Sequence, residues 1–121
     1  MHGITSRAKA IAGFSGFNEQ ADQKDFIVCY PQGYKRSWAI QIPVGGANRK
    51  GVDDVIFFNQ LIDTLTTDYS IDTIKIFACG ISNGGFMTAL LASKLPHKFS
   101  AIALVCSNLF NPIDEYNWSG K

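Results

Sequence analysis

Ile74-Lys75-Ile76-Phe77-Ala78-Cys79 runs into Gly80-Ile81-Ser82-Asn83-Gly84, and then into Phe86-Met87-Thr88-Ala89-Leu90-Leu91-Ala92. The first segment reads as an apolar strand and the last as a buried helix, apolar almost all round and closed by Pro96. Between them, G-x-S-x-G describes a sharp strand-to-helix turn that lifts a serine hydroxyl to the top of a sheet. Glycines two residues before and two after Ser82 remove Cβ atoms where strand and helix crowd together. A small-residue turn is common, so the five letters alone carry little. The strand before and the helix after make Ser82 a candidate nucleophile.

Working outward, Phe26-Ile27-Val28-Cys29-Tyr30 and Ala101-Ile102-Ala103-Leu104-Val105-Cys106 are nearly continuous apolar runs, as expected of strands covered on both faces. Val55, Phe58, Ile62, Leu65 and Tyr69 recur at helical spacing, and Asp53 and Asp54 stand where carboxylates cap that helix. A weaker amphipathic helix is expected from about Phe14 to Lys24. Strand, helix, strand, helix, strand is the signature of an α/β fold with a parallel sheet. Right-handed crossovers then bring Ser82 to the carboxyl edge, where such sheets hold their sites. The long connection from Pro31 to Gly51 has no clear period and reads as functional or as plain surface.

Composition bounds the rest. The 121 residues, 46% apolar and 17% charged, are ordinary for one globular domain or part of one. A formal charge of +1 and the lack of any basic run predict no nucleic-acid partner and no membrane attraction. No apolar stretch reaches the roughly 18 residues of a membrane span, and no signal peptide is visible. Cys29, Cys79 and Cys106 have no C-x-x-C spacing. They read as small buried hydrophobes rather than a disulfide framework or zinc site.

A serine hydroxyl needs a base in reach, normally a histidine oriented by a carboxylate, and two N–H donors for the oxyanion. Asn83 N–H, directly after the nucleophile, supplies one donor. His2-Gly3-Ile4 looks like the loop that supplies the second, through Ile4 N–H. The base is the difficulty, because the chain has two histidines. His97 follows the helix that begins at Ser82, roughly 18 Å down its axis. His2 reads as a residue that orients the oxyanion loop, with a role as base the alternative. The only acids after Ser82 are Asp114 and Glu115, and His97 precedes both, so the chain order Ser, acid, His is absent.

From His2 to about Ser107 the chain resembles the α/β-hydrolase esterase family that includes polyhydroxybutyrate depolymerases and feruloyl esterases. The resemblance rests on His2-Gly3 with Phe17-Asn18 and Ala21-Asp22, Phe26 to Pro31, Trp38, Gly51-Val52-Asp53-Asp54-Val55, Gly80 to Met87, and Leu95 to Ala103. It implies a three-layer sandwich with a mostly parallel sheet, Ser82 as nucleophile, Ile4 and Asn83 as oxyanion donors, and no cofactor or metal. It implies an ester substrate (polyester, feruloyl or related acyl ester) and an extracellular or periplasmic setting. Trp38 is a candidate for lining the acyl or aromatic pocket, against the alternative of filling a gap under the long loop.

No residue here matches the family's catalytic Asp and His, and Met1 stands where a central strand precedes His-Gly. Residues 1–121 therefore read as a partial domain, lacking that strand and the C-terminal half. The strand belongs between the runs at Phe26 and Ile74, so its absence opens a gap of roughly 10 Å between them. Association through open sheet edges is then expected. The competing readings are an inert fragment or pseudoenzyme, and a non-catalytic binding or assembly module.

Overall fold

The computed structural model describes residues 1–40, 42 and 44–109. Its elements are α1 (Ala8–Phe14), α2 (Phe17–Lys24), α3 (Gly45–Lys50), α4 (Asp54–Asp68), β1 (Phe77–Ile81), α5 (Asn83–Lys94) and β2 (Ala101–Val105). Single 3₁₀ turns lie at Tyr34–Arg36 and Pro96–Lys98. β1 and β2 pair in parallel, Phe77 opposite Ala101 and Ile81 opposite Val105. α5 is the crossover between them and packs on both strands, so the chain is α/β.

Local chemistry explains most element boundaries. Asp53 caps α4, accepting from Ile56 N at 3.0 Å. Gly16 adopts φ 69° and a left-handed residue cannot continue a right-handed helix, so the helix expected from about Phe14 begins at Phe17 as α2, and α1 before it was not expected. β1 starts three residues later than the apolar run and extends to Ile81, so Ser82 follows the strand directly. The core gathers Trp38, Ile40, Phe58, Met87, Leu90 and Leu91. Two of these, with buried Ala47, come from the long connection, which is therefore part of the interior rather than surface.

Three expectations need correction. Phe26–Tyr30 has no regular secondary structure, and Ile27 is 57% exposed. A strand exists only through its ladder partners, and the side of β1 away from β2 is occupied by Met1. Met1 N donates to Cys79 O at 2.6 Å and Ile81 N donates to Met1 O at 3.2 Å. The gap expected between two strands is not seen, because the Phe26 run forms no strand and Met1 pairs with β1. Next, the strands are covered on one face only: Ala101, Ala103 and Val105 are exposed, while Ile102 and Leu104 are half-buried. Among the described residues α5 is the single helix laid on the sheet, and two covered faces need two helical layers. For the same reason Cys29 and Cys106 are exposed and Cys79 half-buried, rather than packed inside.

Candidate active site

Ser82 sits between the last residue of β1 and the first of α5, with φ 52° and ψ −120°. A non-glycine residue held there costs on the order of 1–3 kcal/mol and persists only where its surroundings dictate it. Those surroundings are explicit. Ser82 N donates to Val105 O of β2 at 2.8 Å, and Ser82 O accepts from Phe86 N at 3.0 Å, opening α5. A Cβ at Gly80 would collide with the Gly84 carbonyl, and one at Gly84 would lie 2.5 Å from the carbonyl oxygens of Met1 and His2. Only bare backbone lets strand, helix and N-terminal segment meet so closely. The strained turn expected from sequence is present, and Ser82 is half-buried at the carboxyl edge of the sheet.

The N-terminal segment lies against this turn. A methyl group on Gly3 would be 3.6 Å from Ser82 Cβ and 3.5 Å from Ile81 O. Gly3 thus lies against Ser82, and Asn83 follows it as the first residue of α5.

His2 is 1% exposed and its ring is fully employed. Nδ1 pairs with Gly3 O at 2.8 Å, while Nε2 accepts from Gly33 N at 3.0 Å and lies 3.2 Å from Gln32 Nε2. This pattern fits a neutral ring protonated on Nδ1. Burial holds its pKa below the usual histidine value, against an upward pull from the Gly3 carbonyl. With both nitrogens committed, His2 ties the N-terminal segment to Gly33 and has no lone pair for Ser82. His97 lies in the turn after α5, in a pocket shared with Asp63, Ile74 and Ile76. That pocket is at the start of β1, roughly 16 Å of strand from Ser82. Neither histidine is placed as its base. Asp114 and Glu115 lie outside the described residues.

The low His2 pKa has a sign that can be checked. The unfolded chain takes up this proton first, so His2 lowers stability as pH falls through its ordinary value near 6.5. Melting temperature should drop more for the parent than for His2→Gln between about pH 7.5 and pH 5.5. Equal slopes would mean that the ring is not buried in its neutral form.

Trp38 is 0% exposed, its ring 4.8 Å from that of His2 and 5.2 Å from that of Phe58. The pocket-lining role considered for it gives way to packing beneath the loop, since a side chain with no exposed surface offers a substrate nothing to touch. Its indole N–H donates to His2 O at 2.9 Å. Its backbone N donates to Asn83 Oδ1 at 2.7 Å, and its backbone O accepts from Asn83 Nδ2 at 3.3 Å. Asp54, read as a second cap, instead accepts from Ala39 N at 2.7 Å through Oδ2. Burial pushes its carboxyl up from the usual range, and the Ala39 N–H pulls it back. The side chains of Asn83 and Asp54 were the parts of the site that sequence reasoning missed. The one available signal was the Asp53-Asp54 pair, because a helix start needs only one capping carboxylate.

An α/β chain with a strained serine at a strand-to-helix turn has the backbone geometry of the strand–turn–helix elbow found in α/β-hydrolases. Residues 1–115 match the family described as "Esterase PHB depolymerase", and the chain belongs to it. It is similar to an acetylxylan esterase of Coprinopsis cinerea, 34% identical over 77% of this chain and 25% of that protein. A poly(3-hydroxyalkanoate) depolymerase C of Paucimonas lemoignei is 28% identical over 85% of this chain and 25% of its own length. A feruloyl esterase D of Neurospora crassa is 33% identical over 68% of this chain and 25% of its own length. The chain spans about a quarter to a third of the length of curated relatives it matches.

Proposed function

We propose that residues 1–121 carry the nucleophile and oxyanion portion of a serine carboxylic-ester hydrolase within a larger α/β-hydrolase sandwich. The observation that carries this reading is Ser82 at φ 52° between β1 and α5, with Gly3 against it. In the reaction Ser82 Oγ bonds to the ester carbonyl carbon while a base removes the hydroxyl proton. Ile4 N–H and Asn83 N–H stabilise the oxyanion, the C–O bond to the alcohol breaks, and the alcohol leaves with that proton. Water then releases the acid from acyl-Ser82. The base comes from outside the described residues, since both ring nitrogens of His2 are engaged and His97 lies at the far end of β1. Substrates of this class are acetylated, feruloylated or polyester chains. An extracellular or periplasmic setting goes with this reading.

The test uses the chain itself. A serine hydrolase stripped of its triad keeps a residual acceleration of about 10³–10⁴ over water, supplied by the oxyanion hole and binding. Incubation with p-nitrophenyl acetate should therefore acetylate Ser82 slowly, faster with added imidazole, as read by intact and peptide mass. Ser82→Ala should abolish the label. Acetylation confined to lysines, or equal in Ser82→Ala, would favour the competing reading of an inert fold, for which the lack of a reachable histidine speaks.

The same reading expects self-association through the bare sheet face. Phe77 is 67% and Val105 49% exposed, beside a strand edge on β2 that has no partner among the described residues. Sedimentation should show mass rising with concentration, and Val105→Lys should reduce it. A concentration-independent monomer would refute this part.

A further inference from the structure

Oxyanion donors act only if they are fixed before the reaction begins, and a misplacement of about 1 Å costs on the order of 10²-fold in rate. Asn83 N–H is fixed by its place in α5. Ile4 N–H is held less directly: Met1 is bonded to β1, but Ile4 lies three residues on, in a turn outside any helix or strand. Its position relative to Ser82 has to be imposed by contacts. Trp38 touches both sides of the gap. Its indole N–H holds His2 O, two residues before Ile4, and its backbone N and O are both taken by the side chain of Asn83, one residue after Ser82.

The two-point bond to Asn83 fixes orientation as well as distance, as one step of a strand ladder would. All three partners are buried, Asn83 at 3%, His2 at 1% and Trp38 at 0% exposure, where water does not compete for these bonds. Asp54 at the start of α4 secures the next residue through Ala39 N. α4 in turn packs on α5, so the connection closes on itself: α5, Asn83, Trp38, Ala39, Asp54, α4. A second tie, Thr5 N to Arg36 O at 2.8 Å, runs to the same loop and reinforces the dependence of the N-terminal segment on it.

We propose that Trp38 is a positioning residue that sets the Ile4 N–H against Ser82, with Asn83 and Asp54 as its two anchors. This rests on the reading of Ser82 as nucleophile and of Ile4 and Asn83 as oxyanion donors. Asn83 then has two separate duties, its backbone N–H at the oxyanion and its side chain on Trp38.

The experiment is ¹⁵N NMR of the whole chain before and after Ser82 is phosphonylated with a p-nitrophenyl phosphonate ester, imidazole being added as base. The adduct places an anionic tetrahedral oxygen where the oxyanion forms. In the parent, the Ile4 and Asn83 amide protons should both move downfield. In Trp38→Phe, which keeps a ring but removes the indole N–H, the Asn83 shift should persist and the Ile4 shift should vanish. Phosphonylation should slow by about 10²-fold, the loss typical of one oxyanion donor. A purely structural role would lower the melting temperature and leave the Ile4 shift in place, and that result overturns the inference.

The Asp54 pair decides the matter if Trp38→Phe does not fold. Asp54→Asn keeps an acceptor for Ala39 N–H and should retain the Ile4 shift, whereas Asp54→Leu should lose it; identical behaviour of the two overturns the proposal. No adduct on parent Ser82 sinks the nucleophile reading and this inference with it. An adduct without any Ile4 shift in the parent leaves Ser82 as nucleophile and overturns the positioning role alone.

Discussion

Steady-state turnover of p-nitrophenyl acetate by these 121 residues should fall on the order of 10⁶-fold below that of a relative with a complete triad, the loss seen when a serine hydrolase triad is removed as a unit. The reason is geometric. His2 spends Nδ1 on Gly3 O and Nε2 on Gly33 N, and His97 sits at the other end of β1 beside Ile74 and Ile76. Ser82 should be acylated slowly, with no histidine in reach among the described residues to activate water for deacylation. Acyl-protein should accumulate to one equivalent and stop. Continuous turnover that disappears in both Ser82→Ala and one histidine variant would show the machinery to be complete. Separate His2→Ala and His97→Ala substitutions would identify which ring serves.

Alanine at Gly84 or Gly80 should destabilise the chain by about 3 kcal/mol or more, at or beyond the upper end of ordinary overpacking. Most overpacked cores relax by moving a side chain. Here the obstacles are backbone: the Met1 and His2 carbonyls, each 2.5 Å from a Cβ at Gly84, and the Gly84 carbonyl for a Cβ at Gly80. Relief would have to push β1, α5 and the N-terminal segment apart, breaking the contacts that hold Ser82 in place. Against a typical domain stability of about 5–15 kcal/mol, such a loss is visible directly in the denaturant midpoint. Gly13 is the control. It lies inside α1 with no atom within 4 Å of where a Cβ would sit, so Gly13→Ala should be neutral or stabilising by roughly 0.5–1 kcal/mol. Equal effects at Gly13 and Gly84 would mean that the close approach at the elbow is not real.

The elbow was legible because its signals are local. A strand, two glycines around a serine, and an apolar helix are each encoded within a few residues, and the structure assembles them at one point. Asp53 was legible as a cap for the same reason, its acceptor lying three residues from the donor it meets. What could not be read depends on partners far along the chain. Phe26–Tyr30 has strand composition, yet strand formation needs a neighbouring ladder, and composition does not say whether one is there. Cys29 and Cys106 look like core residues, yet burial needs a covering layer. Trp38 and Asn83 are 45 residues apart, and no periodicity links a buried amide to the backbone it will hold. Asp54 differs from Asp53 only in which side of the helix start it faces.

Met1 carries a consequence for anyone who handles this protein. Its N–H reaches back to Cys79 and its carbonyl forward to Ile81, the hydrogen-bond signature of a residue lying parallel to β1 opposite Gly80. Whatever polypeptide is joined ahead of it, whether tag, linker or fusion partner, is launched along β1 as a templated strand rather than released as a free tail. A Val- or Thr-rich leader would be recruited into the sheet, and a Pro- or Gly-rich leader would peel Met1 away and loosen the carbonyls that crowd Gly84. The choice of leader is thereby a choice about the shape of the elbow.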